Sequence, residues 1–118
     1  MASTRAKMTI EWSVPIGQAR PLTTALHSLA ADVRPTLGCV SCSVLTDFAN
    51  RNFVRYVEEW QTEGDLQTRV VDNTFGQLVM LMEDASQPPH IEFVLPRGTQ
   101  GVEFIEESRR VRTHGQSR

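Results

Sequence analysis

Met8, Ile10, Trp12 and Val14 alternate with Thr9, Glu11 and Ser13, the two-residue period of a strand with one apolar face. Pro15 and Gly17 interrupt that pattern. The next run places Leu22, Leu26, Leu29 and Val33 on one stripe at helical spacing, and Pro35 and Gly38 stop it. Residues 39–45 and 52–60 are rich in Val, Phe and Tyr and are separated by a polar stretch holding Asp47 and Asn50, which predicts a hairpin. Thr62 is positioned to cap a helix with Glu63 in its first turn and Leu66 and Val70 on its apolar stripe. A break at Asp72 and Asn73 precedes a second helical piece, with Thr74 as N-cap and Leu78, Leu81 and Met82 inward. Pro88 and Pro89 close it, and residues 90–96 read as the last strand.

The order is therefore β-α-β-β-α-β, an α+β chain whose antiparallel sheet carries both helices on one face. Residues 1–7 are expected to be a disordered lead and 8–96 the folded domain. Residues 97–118 are expected to form an extension: Gly98 and Gly101 flank a hinge, a short helix turns Val102 and Ile105 inward and sets Glu106 four residues before Arg110, and the final THGQSR is disordered. Cys39, Val40, Val44, Phe53, Val57, Phe93 and Val94 supply apolar residues of both parities, so the face without helices is expected to be covered by a second copy. A two-fold interface needs only one self-complementary surface.

Between Gly38 and Met82 the sequence runs GCVSCSVL, TDFANRN, FVRYVEEW and then a helical segment that begins just after a Trp. This arrangement resembles the antibiotic biosynthesis monooxygenase family, small ferredoxin-like chains that pair into dimeric α/β barrels, and the resemblance covers roughly residues 8–96. It implies a cofactor-independent monooxygenase acting on a small aromatic, quinol or polyketide-like molecule, with molecular oxygen as co-substrate. The alternatives are a related isomerase or cyclase, or a non-catalytic binding or accessory protein on the same barrel. Trp60 matches the family's Trp. Relatives that oxygenate aromatic polyketide quinols have an Asn four residues before it and a Tyr six residues after it, where this chain has Tyr56 and Leu66.

Alternation along the third strand puts Val54, Tyr56, Glu58 and Trp60 on one face and Phe53, Arg55, Val57 and Glu59 on the other. Three of the first set are the candidate catalytic residues, and Trp60 and Glu58 each have a plainer structural reading beside the functional one. Trp60 either stacks on a planar substrate and steadies an oxyanion with its N–H, or packs under the second helix. Tyr56 offers a phenol. Glu58 is either a desolvated base or a structural acceptor bonded to an Arg or a backbone N–H. Arg69 is a candidate to hold an anionic substrate oxygen from the pocket rim or else part of a solvated helix face, and Leu66 is a candidate for the substrate-facing wall.

Charge and composition narrow the field further. With 118 residues the chain makes one domain. A formal net charge of −2 and a pI near 5.9 give no concentrated basic face for nucleic acid or an anionic membrane. No apolar run approaches the ~18 residues of a membrane span, and a soluble, cytoplasmic protein is expected. Cys39 and Cys42, three apart in a strand that alternates, fall on opposite faces about 10 Å apart, too far for a disulfide. His90 and Glu92 share a face but lack a third ligand, so no metal site is expected. A proximal His for haem is missing from residues 74–85, and no Gly-rich turn opens a helix for a flavin or nicotinamide.

Overall fold

The computed structural model describes residues 4–15, 17–47, 49–50 and 52–116. The chain runs β1 (Ala6–Ser13), α1 (Ala19–Val33), β2 (Cys39–Thr46), β3 (Phe53–Trp60), α2 (Glu63–Val71), α3 (Phe75–Glu83), β4 (His90–Leu95), β5 (Gly98–Gln100) and α4 (Glu103–Gln116). The five strands form one antiparallel sheet in the order β2-β3-β1-β4-β5. Its first four strands are the ferredoxin-like unit expected from the sequence. Among the described residues no helix is long and apolar enough to cross a membrane.

Alternation along β1 and β3 sorts the residues as the sequence predicts. Ala6, Met8, Ile10 and Trp12 of β1, with Val54, Tyr56, Glu58 and Trp60 of β3, are buried beneath the helices. Leu26, Leu29 and Val33 of α1, Leu66 and Val70 of α2, and Phe75 and Leu78 of α3 close over them. Each such side chain removed from water stabilises the fold by roughly 1.5–3 kcal/mol before the entropy cost of ordering it. Local signals set the helix ends: Thr62 accepts the Asp65 backbone N–H at 3.1 Å, and Asp72 leaves the helical conformation where the break was expected.

Among the described residues no helix lies on the opposite face of the sheet. This face carries Lys7, Thr9, Glu11, Arg55, Glu59 and Glu92 around a scatter of apolar side chains that includes Val57 and Val94, and Arg55 donates to Glu11 across the strands at 2.9 Å. Leu45 and Val94 remain exposed there in the single chain.

Besides the start of β1 at Ala6, inside the residues 1–7 expected to be a disordered lead, three features differ from the sequence expectation. Residues 98–100 add a short fifth strand in place of a hinge, since Gly98, with φ +130°, closes a tight turn from Leu95 and lets the chain pair back on β4. On α4 the inward residues are Phe104 and Ser108, spaced four apart, while Val102 is exposed and Ile105 only half buried. Phe104 is drawn in by Phe93, whose ring lies 4.7 Å from its own. The helix also continues through residues 113–116, expected to be disordered, and residues 117–118 lie outside the described residues.

The third difference concerns the cysteines. A β-bulge at Val40 sets Cys39 opposite Trp60 and Cys42 opposite Glu58, so both thiols share the helix-covered face. Both are free.

Candidate functional site

Glu58 is the centre of a buried polar network at the end of β3. Strand alternation places it between Tyr56 and Trp60 on the face under the helices, with no exposed surface. One carboxylate oxygen accepts the Trp60 indole N–H at 2.9 Å and Arg69 Nε at 3.1 Å. The other accepts the Tyr56 hydroxyl at 2.6 Å and Arg69 Nη2 at 3.1 Å. Cys42 in turn donates its thiol to the Tyr56 oxygen at 3.2 Å. A buried carboxylate is tolerable only with such partners, and here each oxygen is held from two sides.

Arg69 arrives from α2. It sits three residues after Leu66 and directly before Val70, about 60° around the helix from the first, and so falls inside the apolar stripe. Its side chain is 4% exposed, in contrast to the solvated position that was one of its two sequence readings. Nη1 donates to Thr74 Oγ1 at 3.2 Å, and the guanidinium carbon lies 5.4 Å from the centroid of the Phe75 ring. Thr74, expected as an N-cap, makes no side-chain cap bond and serves Arg69 instead.

These contacts shape the proton chemistry. Burial and then the neighbouring Glu58 charge push the Tyr56 phenol well above its usual range. Burial likewise lifts the Cys42 thiol from 9.0 to about 11, and the Cys39 thiol rises for the same first reason. For Arg69 burial works against the charge, but the Glu58 charge and hydrogen bonds outweigh it and the guanidinium is held more firmly protonated than usual.

Beside the network lies a cleft of about 440 Å³ between the end of α1, α2 and the start of α3. Trp60 and Arg69 form part of its wall, with Leu29, Val33 and Thr74. The carboxylates of Asp32, Asp65 and Asp72 also border it. Gly38, with φ +91°, passes so close that a Cβ there would lie 2.7 Å from Asp65 Cγ. Of the sequence candidates, Trp60 and Arg69 therefore meet the cleft. Tyr56 and Glu58 lie behind it, and Leu66 belongs to the core.

Sequence reasoning read Asp72 as a break and Thr74 as a cap rather than as parts of a site, and missed Asp32 and Asp65, since polar residues on outer helix faces carry no signal of the space between helices. Phe75, first in α3, was also overlooked, although an aromatic just after a cap is a common inward position. Among the described residues no group of three His, Cys, Asp or Glu could hold a metal ion.

No family model matches this chain, and no curated protein matches it by sequence. Solved structures do. A conserved protein from Methanosarcina mazei superposes with a TM-score of 0.69 at 17% identity, over 78% of this chain and 92% of that one. A protein from Deinococcus radiodurans, provisionally named an antibiotic biosynthesis monooxygenase, superposes with a TM-score of 0.67 at 18% identity, over 75% of this chain and 88% of its own. This chain has their fold. A Nitrosomonas europaea protein with the same provisional name matches with a TM-score of 0.67 at 10% identity over 86% of this chain and 92% of its own. The ferredoxin-like fold expected for residues 8–96 is thus present, and at these identities the likeness concerns the fold alone.

Proposed function

We propose that the cleft beside Trp60 binds a small aromatic molecule, and that the protein oxygenates it without a cofactor, using molecular oxygen as co-substrate. The observation that carries this reading is the pairing of an indole and a guanidinium on one cleft wall, both fixed from behind by Glu58. A phenol or anthrone would lie in the cleft against the small part of the largely buried Trp60 indole that reaches it, and Arg69 would face the oxygen that becomes anionic on deprotonation, since Nη1 has a second N–H beyond the one given to Thr74. Glu58 would act as the positioning residue for both. A proton released by the substrate would pass to a cleft carboxylate or to solvent, because the Glu58 oxygens are occupied by Trp60, Tyr56 and Arg69. With an anthrone, the balanced outcome is one carbonyl formed from a CH2 group and one water released per oxygen molecule consumed.

The open sheet face suits a second copy. Its scattered apolar side chains and its charged pairs offer a self-complementary surface, and a homodimer is part of this proposal. Light scattering at micromolar concentration should report twice the chain mass. A monomer would remove this element.

A second reading has one observation in its favour. Tyr56 and Glu58 stand away from the cleft, which suits a protein that binds an aromatic ligand without transforming it. Oxygen-electrode assays with anthrones and hydroquinones, without added cofactor, separate the two. Turnover above the autoxidation rate that falls in Trp60→Phe supports the oxygenase. Binding without oxygen uptake favours the ligand carrier.

A further inference from the structure

The two tryptophans lie at opposite ends of the helix-covered face. Trp60 pairs across the sheet with Ala6, and Trp12 lies six positions further along β1, about 20 Å away. Trp60 gives its N–H to Glu58. Trp12 is 1% exposed, and its indole N–H has no acceptor among the described residues. A buried donor without a partner is costly, so its presence asks for an explanation.

The Trp12 indole borders a pocket of about 200 Å³ where the end of β1 meets the first turn of α1 and the end of α3. Val14, Pro21, Leu22, Leu81 and Ala85 make it largely apolar. Its other polar side chains, Gln18 and Asp84, are exposed. A lone water bonded to the indole would want two to four polar partners, and this wall offers few of them.

We infer that this pocket is a second ligand site, distinct from the cleft at Trp60, for a small uncharged apolar molecule with one hydrogen-bond acceptor, such as a ketone oxygen, received by the Trp12 N–H. The nearby Asp84 carboxylate selects against an anionic acceptor, and the volume lies below the roughly 300–1,000 Å³ of drug-sized pockets. Occupation satisfies the indole and removes the ligand's apolar surface from water in the same step.

The test follows the indole N–H signals of the 15N-labelled chain during titration with acetophenone and, separately, with ethylbenzene, which has similar shape and no acceptor. The chain has two tryptophans, so the signal lost in Trp60→Phe, or in Trp12→Phe, assigns both. Acetophenone should move the Trp12 signal and bind on the order of tenfold more tightly than ethylbenzene. Ala85→Leu, which fills the pocket from a half-buried position just past the end of α3, should abolish the response while leaving the rest of the spectrum folded. Equal responses to the two probes, no response to acetophenone at its solubility limit, or a Trp12 shift that survives Ala85→Leu would each overturn the assignment.

Discussion

Strand β3 contributes one member of a carboxylate–arginine pair to each face of the sheet, and the two pairs differ in almost everything except chemistry. Glu58 and Arg69 meet under the helices with side chains 0% and 4% exposed. Arg55 and Glu11 meet on the open face at 45% and 25%. The open pair exchanges hydration for a screened attraction and contributes at most about 1 kcal/mol. The covered pair cannot revert to water, so each partner depends on the other, and Trp60, Tyr56 and Thr74 are held in place by the same bonds. Position relative to the helices, not residue type, decides which pair organises a site.

The largest expected effect comes from breaking the covered pair. Arg69→Met strands the Glu58 charge and should lower stability by about 3–5 kcal/mol in urea unfolding. Adding Glu58→Gln in the same chain should recover part of that loss, because a neutral amide no longer needs the cation. Failure of the double variant to recover any stability would show that Arg69 matters through packing alone.

Next come the two glycines with nearly equal positive φ. Gly38→Ala and Gly17→Ala carry similar backbone strain, roughly 1–3 kcal/mol. Only Gly38 faces an obstacle, the Asp65 carboxyl, whereas nothing lies within 4 Å of a Cβ at Gly17. Gly38→Ala should therefore be the more destabilising, read from thermal midpoints, and should also displace the cleft wall.

A pH series sharpens the contrast between the faces. The folded-state thiol of Cys42 is lifted from 9.0 to about 11, and the Tyr56 phenol is raised as well. Below pH 9 both groups are protonated whether folded or not, and their contribution is fully present. As pH rises from 9 through 11 the unfolded chain loses the Cys42 proton first, so stability falls across that window by up to about 1.4 kcal/mol per pH unit for one group. Cys42→Ala should flatten the slope. A slope unchanged in that variant would place the alkaline sensitivity elsewhere. The smallest effect is expected for Arg55→Ala, about 0.2–1 kcal/mol in a dilute single chain. A much larger loss, dependent on protein concentration, would mean that the open face is buried in a dimer.

The sequence carried the fold because its strongest signals are local and periodic. Alternation in β1 and β3, the Thr62 cap and the break at Asp72 each leave a mark within a few residues. The Glu58 network was only half legible: its strand neighbours Tyr56 and Trp60 follow from alternation, but Arg69, eleven residues on, carried both a solvated and a pocket reading, and its place in the stripe decides between them only once the helix is seated. The bulge at Val40 left no trace, since one inserted residue looks like any other apolar strand position, yet it moved Cys39 to the face of Trp60. The cleft acids are invisible for a different reason, as Asp32 comes from α1 and Asp65 and Asp72 from α2 and its C-terminal cap, which meet only in the fold.

The proposed oxygenase needs an aromatic ring to bind in the cleft against Trp60 and Arg69. Calorimetric titration of 1-naphthol, which carries a planar ring and an ionisable hydroxyl, into the native chain and into Trp60→Phe tests that most directly. The prediction is one site per chain in the native protein, weakened roughly three- to tenfold when the indole is replaced. Equal affinity in the two chains, or no heat of binding in either, would contradict it.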